Sequence, residues 1–353
     1  MTQPNPKTIQ GHRQLAFILD IDGCLSKEGV PITGSKEALH KLKSLHIPFV
    51  VCTNGGGQLE STRAAKLSKL FDMEISSDQV ILSHTPLRSE VVPQLKDHRV
   101  LIVGERCGEV ARAYGLARAE EVREYGQRHP SLFPRRRETD AVEVDDANDP
   151  VKAILFFEDP DDLGEALQLC LDVLLTNGNP SGPRVLVENN EARQEVEVWF
   201  TNPDLVYSGL ATHPRLTQGS YRLCLEHLYG SATSSTSTSY CSSKKLEHNA
   251  TTNRGRTLHA TTVGKPTPLT GKTALAKLLA QCPPNAVERD LEIWTVGDNP
   301  HSDVALAHTM GWSSALVRTG IWNGDVVDLE KVGIRPTIVA DSFASVAKGL
   351  LSN

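Results

Sequence analysis

The chain has 353 residues, a length typical of about two domains. Its 37 lysine and arginine residues and 43 aspartate and glutamate residues give a net charge of −6, which argues against a protein that binds nucleic acid by neutralising phosphates. No apolar run approaches the ~20 residues of a membrane-spanning helix, so the sequence predicts a globular protein with neither a nucleic-acid partner nor a transmembrane segment.

The seven cysteines indicate a reducing compartment rather than a disulfide framework. They are odd in number and widely spaced, and no two form a C-x-x-C pair, so a structural zinc site is not predicted either. Met1–Gln14 contains neither the apolar core of a secretory signal nor the arginine-rich pattern of a mitochondrial presequence. The cysteines are Cys24, Cys52, Cys107, Cys170, Cys224, Cys241 and Cys282.

The first third of the chain alternates between apolar strands and amphipathic helices. Leu15–Asp20 and Ile47–Thr53 are apolar almost throughout, which is typical of strands covered on both faces. Ser35–Leu45 and Thr62–Leu70 repeat apolar residues every three or four positions, as one buried face of a helix requires. Strand, helix, strand and helix at this spacing predict a parallel sheet with right-handed crossovers.

The middle of the chain, residues 86–225, is predicted to form a second and smaller α/β domain. Its apolar runs and amphipathic stretches again alternate, which is typical of this fold class. Strands are predicted over Val100–Val103, Val151–Phe157 and Val196–Thr201, and helices over Gly108–Tyr114 and Leu163–Leu175.

A polar segment follows the middle domain. Ten of the thirteen residues in Ser231–Ser243 are serine or threonine, and such a segment has too little apolar surface to offset the entropy lost on folding. We therefore expect residues 226–260 to form a disordered insertion.

Apolar strands return in the last third of the chain. Helices are predicted over Gly271–Ala280 and Ser302–Met310, and strands over Leu291–Gly297 and Ala315–Arg318. Residues 14–85 and 261–349 together predict one doubly wound, Rossmann-like core with a parallel sheet, interrupted by the middle domain.

Two aspartates stand at the end of the first predicted strand. Because residues i and i+2 of an extended chain point to the same side, Asp20 and Asp22 can face one small space. Ligands bind at this end of the strands in open α/β sheets, and two adjacent carboxylates need a cation or a proton to compensate their charge. Alone, the pair is a weak signal, since a turn cap beside a solvated carboxylate explains the same pattern.

The second predicted strand also ends in polar residues. Thr53-Asn54 is followed by Gly55–Gly57, so a hydroxyl, an amide and bare backbone N–H groups can together form an anion site. A glycine turn before a helix is an equally good explanation of this stretch alone.

Two further stretches place charged residues at corresponding positions. Asp298 follows the strand that ends at Gly297, with Asp303 five residues later, and Lys265 stands before a predicted helix. Each is individually compatible with an ordinary surface or turn residue. Their positions relative to the strands nevertheless predict that they converge with Asp20 on one ligand site.

Two nucleotide-binding motifs are incomplete in this chain. Gly271-Lys272-Thr273 matches the end of a P-loop, but the glycine required five residues earlier is Pro266. Gly55–Gly57 lacks the glycine at 58 or 60 that would complete G-x-G-x-x-G. These departures exclude a P-loop kinase and a dinucleotide-binding oxidoreductase.

The order of these stretches resembles the haloacid dehalogenase (HAD) superfamily of phosphotransferases, from about Leu15 to Asp341 without Ser231–Ala260. The end of the middle domain and the residues before Lys265 resemble its subfamily IIA hydrolases. Two motifs, Ser83-His84-Thr85-Pro86 and Gly297-Asp298-Asn299-Pro300, are similar to a eukaryotic branch, the cat-eye-syndrome critical region protein family. The motifs that carry the wider resemblance are Asp20-Ile21-Asp22-Gly23, Thr53-Asn54, Thr201-Asn202-Pro203-Asp204, Val263-Gly264-Lys265-Pro266 and Gly297-Asp298 with Asp303.

The resemblance implies phosphatase chemistry for the first two aspartates. In this family pattern Asp20 is the nucleophile, which attacks phosphorus to form an aspartyl-phosphate. Asp22 is the acid that protonates the leaving alkoxide and then the base that activates water. Dehalogenases and P-type ion pumps do not place an aspartate at this second position, so Asp22 favours a phosphatase or a phosphomutase.

The resemblance also implies a Mg²⁺ cofactor. Asp20, the backbone carbonyl of Asp22 and Asp298 would bind the ion, and Asp303 would act from outside its ligand set by holding waters or Lys265.

A third implication of the resemblance is a set of phosphate-binding groups. Thr53, the backbone N–H groups near Asn54 and Gly55, and Lys265 would neutralise the transferring phosphoryl group, with Thr53 and Lys265 counted among the catalytic residues. The implied substrate is a small phosphorylated metabolite.

The main alternative is a HAD-fold protein that binds a phosphorylated metabolite with weak or no turnover. Loss of catalysis would be expected to replace the nucleophile, the acid or a metal ligand, and Asp20, Asp22 and Asp298 keep the expected residue type. The resemblance further implies a mitochondrial location, with a cytoplasmic one as the alternative, and allows a homodimer formed through the middle domain.

Overall fold

The computed structural model describes residues 13–134, 148–180, 182–184, 194–207, 211, 213–234 and 256–352. Its strands are β1 (Gln14–Leu19), β2 (Ser26–Lys27), β3 (Val30–Pro31), β4 (Phe49–Cys52), β5 (Val80–Ile81), β6 (Val100–Val103), β7 (Ala119–Glu121), β8 (Ala153–Phe156), β9 (Glu197–Phe200), β10 (Val206–Tyr207), β11 (Arg215–Leu216), β12 (Ala260–Thr262), β13 (Leu291–Gly297), β14 (Ser313–Val317) and β15 (Ile338–Ala340).

The α-helices are α1 (Ser35–Ser44), α2 (Glu60–Phe71), α3 (Leu87–Glu90), α4 (Val92–Leu95), α5 (Cys107–Tyr114), α6 (Val122–Arg128), α7 (Leu163–Leu175), α8 (Gln218–Ala232), α9 (Pro268–Leu279), α10 (Ala305–Met310), α11 (Val326–Lys331) and α12 (Phe343–Leu350). Short 3₁₀-helices cover Ser77–Gln79 and Glu288–Asp290, and a π-helix covers Pro300–Val304. Within the described parts of the chain, no helix combines the length and the apolarity needed to cross a membrane.

The chain divides into two compact units. The described residues of the first unit lie within Met1–Cys52, Ala64–Val80 and Gly271–Asn353. Those of the second unit lie within Thr53–Arg63 and Ile81–Thr270. The predicted limits of the core and of the middle domain stay a prediction.

The first unit is built on a six-stranded sheet with the order β15-β14-β13-β1-β4-β5. β1 lies parallel to both β13 and β4, and its Leu19 pairs with Val296 on one side and Val51 on the other. Phe17 and Leu19 are fully buried, because a central parallel strand is covered on both faces. The register therefore places the residues after Leu19 and after Val296 side by side at the carboxyl edge of the sheet.

The second unit contains a five-stranded sheet with the order β12-β9-β8-β6-β7. Its neighbouring strands run parallel. Alternate residues of β6 belong to different cores: Leu101 and Val103 pack with Tyr125 of α6, whereas Val100 and Ile102 pack with Val110 of α5. Side chains of a strand alternate between the two faces of a sheet, so helices cover this sheet on both sides.

The predicted α/β fold with parallel sheets is confirmed. The predicted helix over Leu163–Leu175 and the strand over Leu291–Gly297 match α7 and β13. The helix predicted over Ser302–Met310 instead begins as the π-helix Pro300–Val304 and continues as α10. The strands β7 and β12 were not predicted, because three residues are too few to show whether apolar residues repeat with the spacing of a strand or of a helix.

The predicted insertion over 226–260 overlaps regular structure at both ends. Helix α8 continues to Ala232, and β12 begins at Ala260 and pairs with β9. Residues 235–255, which contain most of the serine and threonine run, lie outside the described residues. The disorder expected there stays a prediction.

Candidate functional site

Three buried aspartates lie together at the carboxyl edge of the first unit's sheet. Asp20 directly follows β1, Asp298 directly follows β13, and Asp303 lies in the π-helix that comes next. One carboxylate oxygen of each residue lies within 4.8 Å of those of the other two. The parallel pairing of β1 with β13 brings together side chains that are far apart in the sequence.

Asp298 is held by the segment that follows β14. The backbone N–H of Ile321 donates a hydrogen bond to its Oδ2. A Cβ atom on Gly320 would lie 1.8 Å from that oxygen, and one on Gly23 would lie 2.5 Å from it. Both positions therefore require glycine for the Asp298 carboxylate to stay where it is.

Asp303 is fixed by the π-helix and by β13. Its Oδ2 accepts a hydrogen bond from the backbone N–H of Asn299 (3.1 Å), and its backbone carbonyl accepts one from the Thr295 hydroxyl (2.9 Å). The next residue, Val304, packs against Leu316 and belongs to a buried apolar cluster. The structure places its carboxylate within the same cluster as those of Asp20 and Asp298, and the role outside the metal's ligand set that was predicted for Asp303 stays a prediction.

The cluster fits a divalent cation. Three buried carboxylates at this separation repel one another unless a cation or protons compensate their charge. Carboxylate oxygens are also the ligands that Mg²⁺ and Ca²⁺ prefer. The side chain of Asp22, by contrast, is exposed, so its predicted contribution to metal binding, through the backbone carbonyl, stays a prediction.

Gly23 permits a direct test of how tightly Asp298 is held. Gly23 and Gly29 both have positive φ angles, +93° and +78°, but a Cβ on Gly29 meets nothing within 4 Å. We expect Gly29→Ala to lower the free energy of unfolding by about 1 kcal/mol through backbone strain alone. Gly23→Ala should cost an additional ~1–3 kcal/mol by overpacking and weaken Mg²⁺ binding about 10-fold or more by displacing Asp298.

The measurement is chemical unfolding and Mg²⁺ titration of both variants. Equal losses of stability and equal metal affinity in the two proteins would contradict the close approach of Gly23 to Asp298.

The second unit holds the other predicted site residues. Thr53 follows β4, its backbone N–H donates to the carbonyl of Ile81 (3.0 Å), and its Oγ1 accepts a hydrogen bond from the N–H of Gly55 (3.0 Å). Lys265 is 2% exposed. The structure thus buries Thr53 and Lys265 within the second unit, and their convergence with Asp20 on one ligand site stays a prediction.

The side chain of Asn54 connects these two stretches. Its Oδ1 accepts a hydrogen bond from the backbone N–H of Lys265 (2.7 Å), and its Nδ2 donates to the carbonyl of Lys265 (3.0 Å). Nδ2 also donates to Oδ2 of Asp204 (3.0 Å). The side-chain amide of Asn54 therefore makes its hydrogen bonds to Lys265 and Asp204 within the protein. Asn54 can bind an anion through its backbone N–H.

A buried polar cluster beside these residues was not assigned from the sequence. Glu60, the first residue of α2, accepts hydrogen bonds from the hydroxyls of Thr85 (2.7 Å) and Tyr114. The Tyr114 hydroxyl also lies 2.9 Å from Nδ1 of His84, whose ring stacks on Phe157. The one sequence signal was the Ser83–Pro86 motif, which carries no hint of its partners.

Burial and hydrogen bonding set the ionisation of this cluster. Burial lowers the pKa of His84 to about 4, against the opposing effect of the Glu60 charge. Burial by itself would raise the pKa of Glu60, but the hydrogen bonds from Tyr114 and Thr85 lower it below its usual value. At neutral pH the neutral His84 imidazole and the charged Glu60 carboxylate therefore lie at the start of α2.

Comparison with known proteins identifies the family. A sequence model described as haloacid dehalogenase-like hydrolase matches residues 17–117, and a second, described as HAD-hydrolase-like, matches residues 262–346. A mitochondrial hydrolase of Saccharomyces cerevisiae is 30% identical over 367 residues, which cover 96% of each chain. The chain belongs to the haloacid dehalogenase-like hydrolase family. The resemblance predicted from the sequence is confirmed.

Two further relatives extend the comparison. A fusion of CMP-forming cardiolipin synthase with a mitochondrial hydrolase, from Schizosaccharomyces pombe, is 30% identical over 321 residues, which cover 88% of this chain and 49% of the fusion. The solved p-nitrophenyl phosphatase from Archaeoglobus fulgidus superposes with a TM-score of 0.63 at 19% identity, covering 96% of this chain and 100% of the other. This second similarity supports the fold.

Proposed function

We propose that this HAD-family hydrolase is a Mg²⁺-dependent phosphatase that hydrolyses a small phosphate monoester. The observation that carries the proposal is the buried cluster of Asp20, Asp298 and Asp303, with carboxylate oxygens within 4.8 Å of one another. Such a cluster supplies both a carboxylate nucleophile and the oxygen ligands of a hard cation.

Asp20 and Asp22 divide the covalent and the proton-transfer chemistry between them. A carboxylate oxygen of Asp20 attacks phosphorus, the bond to the leaving alkoxide breaks, and an aspartyl-phosphate forms. Asp22, whose side chain is exposed, donates its proton to the alkoxide and then takes a proton from the water that hydrolyses the intermediate.

The remaining aspartates provide the metal site. Asp20, the backbone carbonyl of Asp22 and Asp298 would bind Mg²⁺, and Asp303 would orient this ligand set through its own fixed carboxylate. When bound, the ion offsets the negative charge of the aspartates and of the phosphoryl oxygens.

Four further residues would bind the transferring phosphoryl group. Thr53 offers a hydroxyl, Asn54 and Gly55 offer backbone N–H groups, and the buried Lys265 offers a positive charge. The N–H of Gly55 donates to Thr53 Oγ1, so phosphate binding would exchange this internal hydrogen bond for one to the ligand.

A phosphorylated glycerophospholipid is a second candidate substrate. The fused relative joins its hydrolase to a cardiolipin synthase in one chain, which is the reason for testing a lipid substrate on this chain. The names of both yeast relatives also support a mitochondrial location for this chain. The homodimer formed through the middle domain remains part of the proposal.

The function is tested by phosphate release from a panel of soluble phosphate monoesters and phosphorylated lipids in detergent, each with Mg²⁺ and with EDTA. We expect Mg²⁺-dependent release with kcat/KM at or above about 10⁴ M⁻¹s⁻¹ for the physiological class. Saturable binding of the panel members without phosphate release would favour the alternative of a non-catalytic binding protein. Release that EDTA leaves unchanged would contradict the metal dependence.

A further inference from the structure

We propose that Asp204 is a positioning residue, which orients the Asn54 amide and through it places Lys265 for phosphate binding. The inference rests on the proposed function, in which Lys265 binds the phosphoryl group. It concerns residues of the second unit only. Asp204 is far from both partners in the sequence, being 150 residues from Asn54.

Both polar atoms of the Asn54 amide form hydrogen bonds with Lys265 or Asp204. Oδ1 accepts from the N–H of Lys265 at 2.7 Å, while the two hydrogens on Nδ2 serve the Lys265 carbonyl and Asp204 Oδ2, both at 3.0 Å. The side chain thus binds the backbone of Lys265 on both sides of the residue. Any rotation of this amide breaks two contacts to the residue that carries the cation.

Together with the backbone of Lys265, Asp204 fixes which way the amide faces. An asparagine side chain can exchange its oxygen and nitrogen by a half turn about the last torsion. In this site a half turn would place Oδ1 against the Asp204 carboxylate and the Lys265 carbonyl, all of them acceptors, and Nδ2 against the Lys265 N–H. The negative charge of Asp204 strengthens the hydrogen bond from Nδ2 and disfavours the turned amide.

Asp204 is itself rigidly placed. Its backbone N–H donates to Oδ1 of Asn202 (2.8 Å), and its carbonyl accepts from the N–H of Gly219 (2.9 Å) in the first turn of α8. These two hydrogen bonds fix the backbone from which the Asp204 carboxylate extends. Because Lys265 is 2% exposed, a shift of its backbone moves a buried ammonium that has little room to adjust.

The test uses four variants of the full chain: Asp204→Ala, Asp204→Asn, Asn54→Asp and the double variant Asn54→Asp/Asp204→Asn. Asp204→Ala should lower kcat/KM about 10- to 100-fold, through a raised KM as well as a lowered kcat, since misplacement of a catalytic group by about 1 Å has effects of this size. Asp204→Asn keeps an acceptor oxygen for Nδ2 and should recover most of the loss. The control is Asp97→Ala, at an exposed aspartate of the same unit.

The double variant distinguishes positioning from general destabilisation. Asn54→Asp sets two carboxylates against each other and removes the donor to the Lys265 carbonyl, so it should lose at least as much activity as Asp204→Ala. Adding Asp204→Asn reverses donor and acceptor between positions 54 and 204 but leaves the carboxylate at position 54 facing the Lys265 carbonyl, so we expect a partial recovery over Asn54→Asp. The proposal would be wrong if the loss of activity in the double variant, expressed as a free energy, equalled the sum of the losses in Asn54→Asp and Asp204→Asn. Independent effects add in this way.

Inorganic phosphate binding separates this proposal from the proposed function. Calorimetry should show phosphate affinity lowered about 10-fold in Asp204→Ala and restored in Asp204→Asn. If the wild type hydrolyses its substrate and Asp204→Ala keeps full kcat and full phosphate affinity, the positioning role is wrong while the phosphatase stands. If the wild type neither hydrolyses phosphate esters nor binds phosphate, the proposed function fails and the role of Asp204 fails with it. Should Asp204→Ala not fold, the other three variants decide.

Discussion

Replacing Asp20 by asparagine is expected to reduce phosphate release by more than about 10³-fold, as loss of a covalent nucleophile does in other hydrolases. The amide has nearly the same shape as the carboxylate but cannot attack phosphorus to form an acyl-phosphate. Because Asp20 is one of three buried carboxylates within 4.8 Å of one another, removing its charge should also relieve repulsion. We therefore expect the melting temperature in EDTA to stay equal to that of the wild type or to rise.

The matched control is Asp72→Asn in the same unit. The Asp72 side chain is 83% exposed and forms a surface ion pair with Lys36, so the same chemical change there should leave turnover unchanged. Intact-protein mass spectrometry of the assayed Asp20→Asn sample excludes deamidation back to aspartate. Activity within tenfold of wild type in a folded, undeamidated sample would show that Asp20 is not the nucleophile.

Mg²⁺ is expected to raise the melting temperature of the wild type by several degrees, and Asp298→Asn should remove this response together with the activity. A ligand that binds only the folded state stabilises it by about 2.7 kcal/mol at a hundredfold excess over Kd. The wild type without metal must hold Asp20, Asp298 and Asp303 close together while their charges repel. Asp298→Asn reduces that repulsion, so its melting temperature in EDTA should equal or exceed that of the wild type.

The measurements are melting curves in EDTA, Mg²⁺ and Ca²⁺ with phosphate release assayed in parallel. Asp328→Asn serves as the control, since Asp328 is a 68% exposed residue of the same unit that pairs with Lys331. Ca²⁺ accepts looser coordination than Mg²⁺, and we expect it to stabilise the wild type without supporting turnover. The metal site would be wrong if Mg²⁺ stabilised wild type and Asp298→Asn equally, or if wild type treated with EDTA kept full turnover.

The amino-acid sequence by itself determined the family and the central strands. Residues 15–19 and 291–297 are apolar over nearly their whole length, and such runs occur in parallel strands covered on both faces. The residues implied to carry the chemistry lie in short contiguous motifs, and their order along the chain was enough to predict a haloacid dehalogenase-like hydrolase. The sequence of one segment is enough to predict a structural feature when interactions within that segment produce it.

Only the tertiary structure decided which of these residues meet. Asp303 joins Asp20 because β1 and β13 pair in a particular register, and no single segment specifies that register. Asn54 binds the backbone of Lys265 across 211 residues of chain. Such contacts depend on which strands become neighbours, and that choice is made by the packing of the whole sheet.

Dependence on contacts between distant segments also explains why Glu60 and Tyr114 were assigned no role from the sequence. Glu60 and Tyr114 are 54 residues apart, and each alone is typical of a helix with one polar face. The burial that lowers the pKa of His84, and the hydrogen bonds from Tyr114 and Thr85 that lower the pKa of Glu60, arise only when these segments come together in the folded unit. Burial is a property of the assembled unit, so the chemistry that depends on burial was decided by the fold and not by any one segment.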